Sequence, residues 1–377
     1  MKKKKIFLVS EYPSLDKPTN YSWIKTRVEA LKDTYEITVV RFIFDSCERT
    51  QIKKTELHGF TLCEILIKKG LIPKFRVFTS ELKLRNLLFL LFESERPDVI
   101  HVHFSRNYSW VVKRVATMLG IPYFITEHAT FFEESVNQFY YGKKIIRALN
   151  GANRVFAVSH YLKKTMEKYI SNSQQIIVKY NIVDVEKFTK KERKIKDRNF
   201  IYMVSVGSLD LNDKKGYELL IKALFELKKE NPTFRCDIIG EGPNKGYLQK
   251  LINDLNLEEN VFLLGGISND VLVDYYNEID FFVSSSKIET FGVAIIEAMS
   301  CGSPVLSTKS GGPEEFINDS NGILVEKESW QSLYEGLVRM CIQYKNFDRD
   351  LIRNYIIDNF SETSYKNIML KEYGDMK

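Results

Sequence analysis

Two glutamates eight residues apart, Glu289 and Glu297, flank a Phe291-Gly292-Val293 step in the segment ETFGVAIIEAMS. An ionised carboxylate only accepts hydrogen bonds and suits the vicinal hydroxyls of a ribose or a sugar, at roughly 1.5–3 kcal/mol for each charge-assisted bond. Gly292 opens a helix, and the amides of Gly292 and Val293 then present unpaired N–H groups at the positive end of the helix dipole, where a phosphate is favoured. One carboxylate in the loop and another two turns along could hold opposite ends of an elongated phosphorylated ligand. A diphosphate beside carboxylates needs a counter-charge. Lys215, in VGSLDLNDKKGYELL, follows a strand and immediately precedes Gly216 and a helix, which makes it the candidate cation.

Such residues act only if a scaffold brings their loops to one place. Short β-rich runs (KIFLVS, YEITVVRFIF, DVIHVHF, PYFITEH, RVFAVS) alternate with amphipathic segments such as SWIKTRVEALKDT and WVVKRVATMLG, a βαβ rhythm that predicts a parallel sheet. A polar, Lys-rich stretch over Val185–Arg198 separates this series from a second one, running from IYMVSVGSL through FRCDIIGEG, VFLLGGI, DFFVSSS and PVLST to NGILV. The expected architecture is therefore α/β, with two doubly wound Rossmann-like domains over residues 1–184 and 185–361 whose parallel sheets face one another across a cleft. Ligands of open parallel sheets lie beyond the carboxyl ends of the strands, so loops that follow strands are where chemistry is expected. After Trp330 the sequence reads as helix only.

Composition narrows the classes. The 377 residues are 44% hydrophobic and 28% charged, an ordinary globular make-up that excludes disordered, collagen-like and disulfide-framework proteins. Lys+Arg of 55 against Asp+Glu of 49 gives a net charge of +6, too small for a dedicated nucleic-acid binder, and no nucleic acid is expected as partner. Cys47, Cys63, Cys236, Cys301 and Cys341 are scattered without a CxxC, as in reduced cytoplasmic proteins. The apolar run Ile6–Val9 is shorter than a signal-peptide core, and Leu87–Phe92 is far shorter than a membrane span. The expected location is cytoplasmic. The stretch Ile65–Thr79, with Lys68, Lys69, Lys74 and Arg76 among apolar residues, together with Lys2–Lys5, could touch the anionic inner surface of a membrane or be an ordinary solvated connector.

The ordered set ETFGVAIIEAMSCGSPVLSTKSGGPEEFI, VGSLDLNDKKGYELLIKAL, FRCDIIGEGPNKGYLQKL and VFLLGGISNDVLVDYYNEIDFFVSSS resembles the second domain of the retaining GT-B glycosyltransferases, specifically glycosyltransferase family four. In the first half, RPDVIHVHF, PYFITEHATFF, ANRVFAVSHYLKK and YNIVDVEKF also match family segments, so the resemblance is nearly full-length. It implies that Glu289 meets hydroxyls of the transferred sugar, that Glu297 meets the ribose, and that Lys215 with the amides near Phe291, Gly292 and Val293 holds the diphosphate. His128 matches the family histidine near the sugar, and Ile267 the place where backbone meets the nucleobase. The final helix, about 362–377, would pack back on the first domain as in relatives. Two departures stand out. Ser208 follows Gly207 where the family commonly has Arg, which shifts diphosphate charge onto Lys214 or Lys215. The glycine-rich loop of the first domain is replaced by Asn20, Tyr21 and Ser22, so backbone approach to donor or acceptor changes there.

The expected activity is transfer of a sugar from a UDP- or GDP-linked donor to a glycan or lipid-linked acceptor with retention, without cofactor or metal, in cell-surface polysaccharide assembly. An epimerase, a phosphorylase or a non-catalytic sugar-nucleotide-binding protein on the same scaffold are the alternatives. Three other signals are set aside. Gly240-Glu241-Gly242 lacks the third glycine of a dinucleotide fingerprint, having Lys245 there. His101 and His103 lack a third zinc ligand. Asp348-Arg349-Asp350 reads as a helix start.

Overall fold

Runs of apolar residues buried on both faces make the central strands, as parallel sheets covered by helices demand. The computed structural model describes residues 3–11, 22–45, 50–68, 76–106, 108–193, 198–230 and 233–374. The chain packs as two units, residues 1–180 with 365–377 and residues 181–364. Each has its own parallel sheet.

The first unit runs β1 (Lys5–Val9), α1 (Ser22–Leu31), β2 (Glu36–Asp45), β3 (Gln51–Leu57), β4 (Phe60–Lys68), α2 (Arg76–Glu95), β5 (Val99–His103), α3 (Ser109–Leu119), β6 (Tyr123–Glu127), α4 (Phe132–Val136), α5 (Gly142–Asn150), β7 (Arg154–Ala157), α6 (His160–Glu167) and β8 (Ile176–Val178). Its sheet order is β3-β4-β2-β1-β5-β6-β7-β8. Only β3 is antiparallel, forming a hairpin with β4 that the βαβ alternation does not reveal. β3 is an edge strand, largely exposed and carrying Lys53 and Lys54, a composition that discourages pairing with another chain.

The second unit runs β9 (Ile201–Val206), α7 (Tyr217–Glu230), β10 (Phe234–Ile239), α8 (Lys245–Asp254), β11 (Val261–Gly265), α9 (Asn269–Glu278), β12 (Phe281–Ser284), α10 (Val293–Ser300), β13 (Val305–Thr308), β14 (Gly322–Val325), α11 (Trp330–Gln343) and α12 (Arg349–Phe360). The order β11-β10-β9-β12-β13-β14 has its reversal beside β9. In α7, Tyr217, Leu220, Ile221, Leu224 and Leu227 repeat at helical spacing and are buried. Glu218 in its first turn and Lys228 and Lys229 in its last complement the helix dipole. The polar stretch before β9 is bound to this unit: the Arg353 guanidinium donates to the carbonyls of Val185, Phe188 and Ser300, and Arg193 pairs with Asp280 at 2.8 Å. Asp348 caps α12 by accepting from the Asp350 and Leu351 amides.

A last helix, α13 (Glu362–Gly374), carries Tyr365, Met369 and Tyr373 into the core of the first unit. Tyr373 Oη lies 2.6 Å from His101 Nδ1, and its ring stacks on Phe124. Lys179 Nζ, fully buried, donates to Met369 Sδ at 2.8 Å and sits over the rings of Phe156 and Tyr365. Arg27, equally buried, donates to the Trp23 carbonyl and faces the Tyr365 ring. The nearby carboxylate, Glu372, is engaged by Arg154 at 3.1 Å. His101 and His103 stack on one another in the sheet interior, with His101 Nε2 2.7 Å from Thr126 Oγ1. Among the described residues no group of three His, Cys, Asp or Glu is placed to hold a metal, and no helix is long and apolar enough to cross a membrane. Cys63, Cys236, Cys301 and Cys341 carry free thiols.

Burial, joined by the charges of Lys179 and Arg27, lowers the pKa values of His101 and His103 well below 6.5. Burial also holds Lys179 well below 10.5. The native state therefore binds fewer protons than the unfolded chain, so stability of this unit is lost as pH falls below about 6.5, by about 1.4 kcal/mol per pH unit for each histidine. Hydrogen exchange in β5 and β6 at pH 7.5 and 5.5, corrected for intrinsic rates, reads this directly. Protection should drop at the lower pH. Unchanged or greater protection would contradict burial of neutral bases.

Candidate functional site

The loop Gly207–Gly216 leaves β9, next to the point where strand order reverses, and brings Lys215 toward the loop that follows β12. Lys215 Nζ meets Glu289 Oε2 at 2.5 Å, with side-chain exposures of 27% and 12%. The two loops are fastened by backbone as well. The Lys287 amide donates to the Lys214 carbonyl at 2.8 Å, and Ser285 Oγ donates to the Lys215 carbonyl at 2.8 Å. The backbone of Glu289 in turn bridges the loop after β13, its amide donating to the Ser310 carbonyl at 2.9 Å and its carbonyl accepting from the Gly312 amide at 2.8 Å. Loops from three strand ends thus converge on one ion pair.

Gly216 makes the approach possible. Its φ is +67°, and a Cβ there would lie 2.1 Å from the Ser285 carbonyl oxygen. Gly292, at φ +100°, is the residue before α10, and Val293 begins the helix, so the first-turn amides point out of its N-terminus. The Phe291 ring is buried against Phe316 and Phe360, so this residue offers a ligand its backbone and not its ring. Glu297, in the middle of α10, accepts from Tyr276 Oη at 3.3 Å. Burial pushes its carboxyl up to about 7, opposed by the Tyr276 hydroxyl and the charge of Lys187.

Ser208 is exposed, and its Oγ lies 3.4 Å from Asp210 Oδ2. Lys214 is half-buried and its amide donates to Asp210 Oδ1. Ile267, half-buried, follows β11 at the opposite sheet edge from β14. His128 belongs to the first unit, where it follows β6. Its Nε2 lies 3.0 Å from His103 Nδ1, and its ring is packed by Trp23 and Phe104. Asn20 and Tyr21 lie outside the described residues, as do Lys69, Lys74 and Cys47.

Several supporting groups escape a reading by motif. Glu127, next to His128, is fully buried and accepts from the amides of Ser105, His128 and Ala129 and from the Ser105 hydroxyl. Burial raises its pKa while those donors oppose the rise. It fixes the loops that follow β5 and β6. Asp213 accepts from the Tyr217 amide at 2.8 Å and pairs with Lys287 at 3.1 Å, holding the Lys215 loop against the Glu289 loop. An acidic residue four positions before the first residue of an apolar helix is the signal that could have marked it.

The fold has known counterparts. Sucrose-phosphate synthase from Thermosynechococcus elongatus superposes with a TM-score of 0.77 at 18% identity, over 98% of either chain. Anabaena HepE, solved with UDP and glucose, superposes with a TM-score of 0.76 at 17% identity, over 99% of this chain and 100% of that one. The architecture is GT-B, with two parallel-sheet Rossmann-like α/β domains. Residues 29–187 match the family Glycosyltransferase Family 4, and residues 184–355 match Glycosyl transferases group 1. The chain belongs to this group 1, family 4 class of glycosyltransferases, as the motifs implied.

Among its relatives, an uncharacterized glycosyltransferase of Methanocaldococcus jannaschii is 26% identical over 347 residues, 91% of this chain and 88% of that protein. One polypeptide of the human phosphatidylinositol N-acetylglucosaminyltransferase is 31% identical over 263 residues, 69% of this chain and 53% of that one. A Campylobacter jejuni enzyme, N-acetylgalactosamine-N,N'-diacetylbacillosaminyl-diphospho-undecaprenol 4-alpha-N-acetylgalactosaminyltransferase, is 34% identical over 184 residues, 48% of each. The matches span about half the length of the last two proteins.

Gly216→Ala tests the local argument. A side chain at positive φ, driven against a carbonyl, should cost about 1–3 kcal/mol and displace Lys215 from Glu289. Urea denaturation of the variant should show the loss. Wild-type stability would mean that the two loops are not as closely fastened as described.

Proposed function

We propose that the chain transfers a sugar from a UDP- or GDP-linked donor to a glycan or lipid-linked acceptor, with retention and without a metal, in cell-surface polysaccharide assembly at the cytoplasmic face of a membrane. The observation that carries this reading is the Lys215–Glu289 pair set in the loops before α7 and α10. In this reading Lys215 and the amides of Gly292 and Val293 stabilise the leaving diphosphate as negative charge develops on it. Glu289 orients hydroxyls of the transferred sugar, Glu297 holds the ribose and the residues about Ile267 meet the base. His128 acts near the sugar, with Glu127 and Trp23 as its positioning residues. A fixed cation and a helix terminus do the work that a divalent ion does elsewhere, which is the basis for expecting no metal.

The names of two relatives support a lipid-linked acceptor. One is named for transfer to phosphatidylinositol and the other for transfer to a diphospho-undecaprenol-linked saccharide. Both are named for moving an N-acetylhexosamine, so UDP-N-acetylglucosamine and UDP-N-acetylgalactosamine lead the donor panel.

The test is saturable binding and slow hydrolysis of UDP- and GDP-linked sugars by the purified protein, with and without EDTA. One donor should bind and be turned over at equal rates in both conditions. Binding without turnover would favour a non-catalytic sugar-nucleotide protein, and release of free nucleotide coupled to sugar inversion would favour an epimerase. Glu297→Ala should weaken donor binding by about 1.5–3 kcal/mol, whereas Glu289→Ala should lower kcat more than affinity. Normal kinetics in both variants would refute the assignment.

Ribose hydroxyls donate to the ionised form of Glu297, so donor binding competes with its protonation. With a carboxyl pKa of about 7, affinity should fall as pH drops below 7, approaching tenfold per pH unit, with proton uptake on donor release. Calorimetric titration between pH 6 and 8 in two buffers checks this, and Glu297→Gln should flatten the profile. A profile that stays steep in Glu297→Gln would place the titrating group elsewhere.

A further inference from the structure

The loops that lead into α7 and α10 hold more positive charge than the Lys215–Glu289 pair uses. Residues 207–216 and 285–292 contain three lysines, Lys214, Lys215 and Lys287, and three carboxylates, Asp210, Asp213 and Glu289, so that their own charges cancel. A nucleoside diphosphate carries more than one negative charge, and the single charge of Lys215 does not match it. Ser208 adds none.

Lys287 is placed to supply the remainder. Its amide donates to the Lys214 carbonyl at 2.8 Å, which sets its backbone against the Lys215 loop. It stands two residues before Glu289, so no more than about 7 Å separates their Cα atoms, within the sweep of a flexible four-carbon stem. Its ammonium meets Asp213 Oδ2 at 3.1 Å, with side-chain exposures of 30% and 8%. Glu218, another carboxylate that feels this charge, is engaged by Lys222 at 2.7 Å.

Asp213 keeps other support when Lys287 leaves it. Its Oδ1 accepts from the Tyr217 amide at 2.8 Å, at the start of a 14-residue helix whose dipole favours a carboxylate. Its Oδ2 is buried and takes no hydrogen bond among the described residues, so the contact with Lys287 is one of charge alone. The backbone of Asp213 is left-handed, at φ +47°, a conformation that aspartate and asparagine tolerate better than other side chains. The loop thus holds a carboxylate in one fixed place beside a cation that can move.

Granting the donor reading of the Lys215–Glu289 site, on which this rests, we propose that Lys287 is a second cation for the donor diphosphate, held by Asp213 in the free protein and drawn from it when the anion binds. Asp213 thereby sets how tightly the nucleotide is held. A pair that only fastened the two loops would respond alike to loss of either partner, whereas a cation shared between a carboxylate and a diphosphate responds with opposite signs.

Calorimetric titration of the full chain with UDP and with GDP tests this. Lys287→Gln should weaken binding of the preferred nucleotide about fivefold, the size expected of a partly exposed charge contact. Asp213→Asn should tighten it by a similar factor, because asparagine suits the left-handed backbone and still caps α7 while leaving Lys287 unclaimed. The double variant should bind like Lys287→Gln alone, and Lys287→Arg like the wild type. Raised salt should shrink each difference. Equal weakening in both single variants, wild-type affinity in Lys287→Gln, or tightening that persists in the double variant would overturn the proposal. Lys215→Gln separates the two levels. Weaker binding there with Lys287→Gln unaffected would sink the role of Lys287 alone, whereas a wild-type chain that binds neither nucleotide would remove the donor reading and this role with it.

Discussion

The second unit is organised around a charge that must sit where strands end. Lys215 and Glu289 come from loops 74 residues apart in sequence, and their contact requires the backbones of those loops to touch. Gly216 against the Ser285 carbonyl, and the Lys287 amide on Lys214, are the price of that approach in conformational freedom. The sheet order explains why these loops and not others are neighbours. β12 lies directly beside β9 although β10 and β11 intervene in sequence, and a reversal of this kind leaves a crevice between the loops on either side.

In the first unit the corresponding tension is among bases. Arg27, Lys179, His101 and His103 are buried together, and the carboxylate within reach, Glu372, is already bound to Arg154. Burial disfavours the charged forms of the imidazoles and of the Lys179 amine, and the surroundings offer these groups rings and a thioether in place of a carboxylate. Those groups come mainly from the end of the chain: Tyr365, Met369 and Tyr373 of α13 close over Arg27, Lys179 and His101. A helix with almost no amphipathic asymmetry, SYKNIMLKEY, thereby has a clear buried face, and the face is written in aromatic chemistry instead of in an apolar stripe.

That contrast bears on what could be read from residues alone. The alternation of β-rich and amphipathic runs was enough for two parallel sheets, because strand and helix periods are local properties. The β3–β4 hairpin was not legible, since Gln51–Leu57 is a polar edge strand and carries no apolar alternation. Glu289, Gly292 and Glu297 were legible as a block because one loop and one helix hold them. Ser285 and Tyr276 were not, for Ser285 acts across two loops and Tyr276 across two helices whose proximity is decided by strand order. Phe291 adjoins Gly292 in the same block, and its ring serves the core with Phe316 and Phe360 while its backbone belongs to the loop. His101 and His103 alternate on a strand as a metal pair would, and their surroundings of Tyr373, Thr126 and Phe156 make them core residues instead.

Ser208, standing where the family resemblance led to an expectation of Arg, leaves no cation at that position of the loop. Ser208 turns to Asp210, and Asp210 also accepts from the Asn212 and Lys214 amides, so this corner of the loop is a hydrogen-bonded turn and not a cationic arm. Lys287, the next cation along, is held by Asp213. Lys215 is a cation in these loops whose direct partner, Glu289, lies in the loop that leads into α10, and an anion drawn to the α10 amides would compete with Glu289 for it. Competition of that kind would free the Glu289 carboxylate for hydroxyl groups at the moment the anion arrives, so that one lysine moving between two partners could prepare both ends of the site.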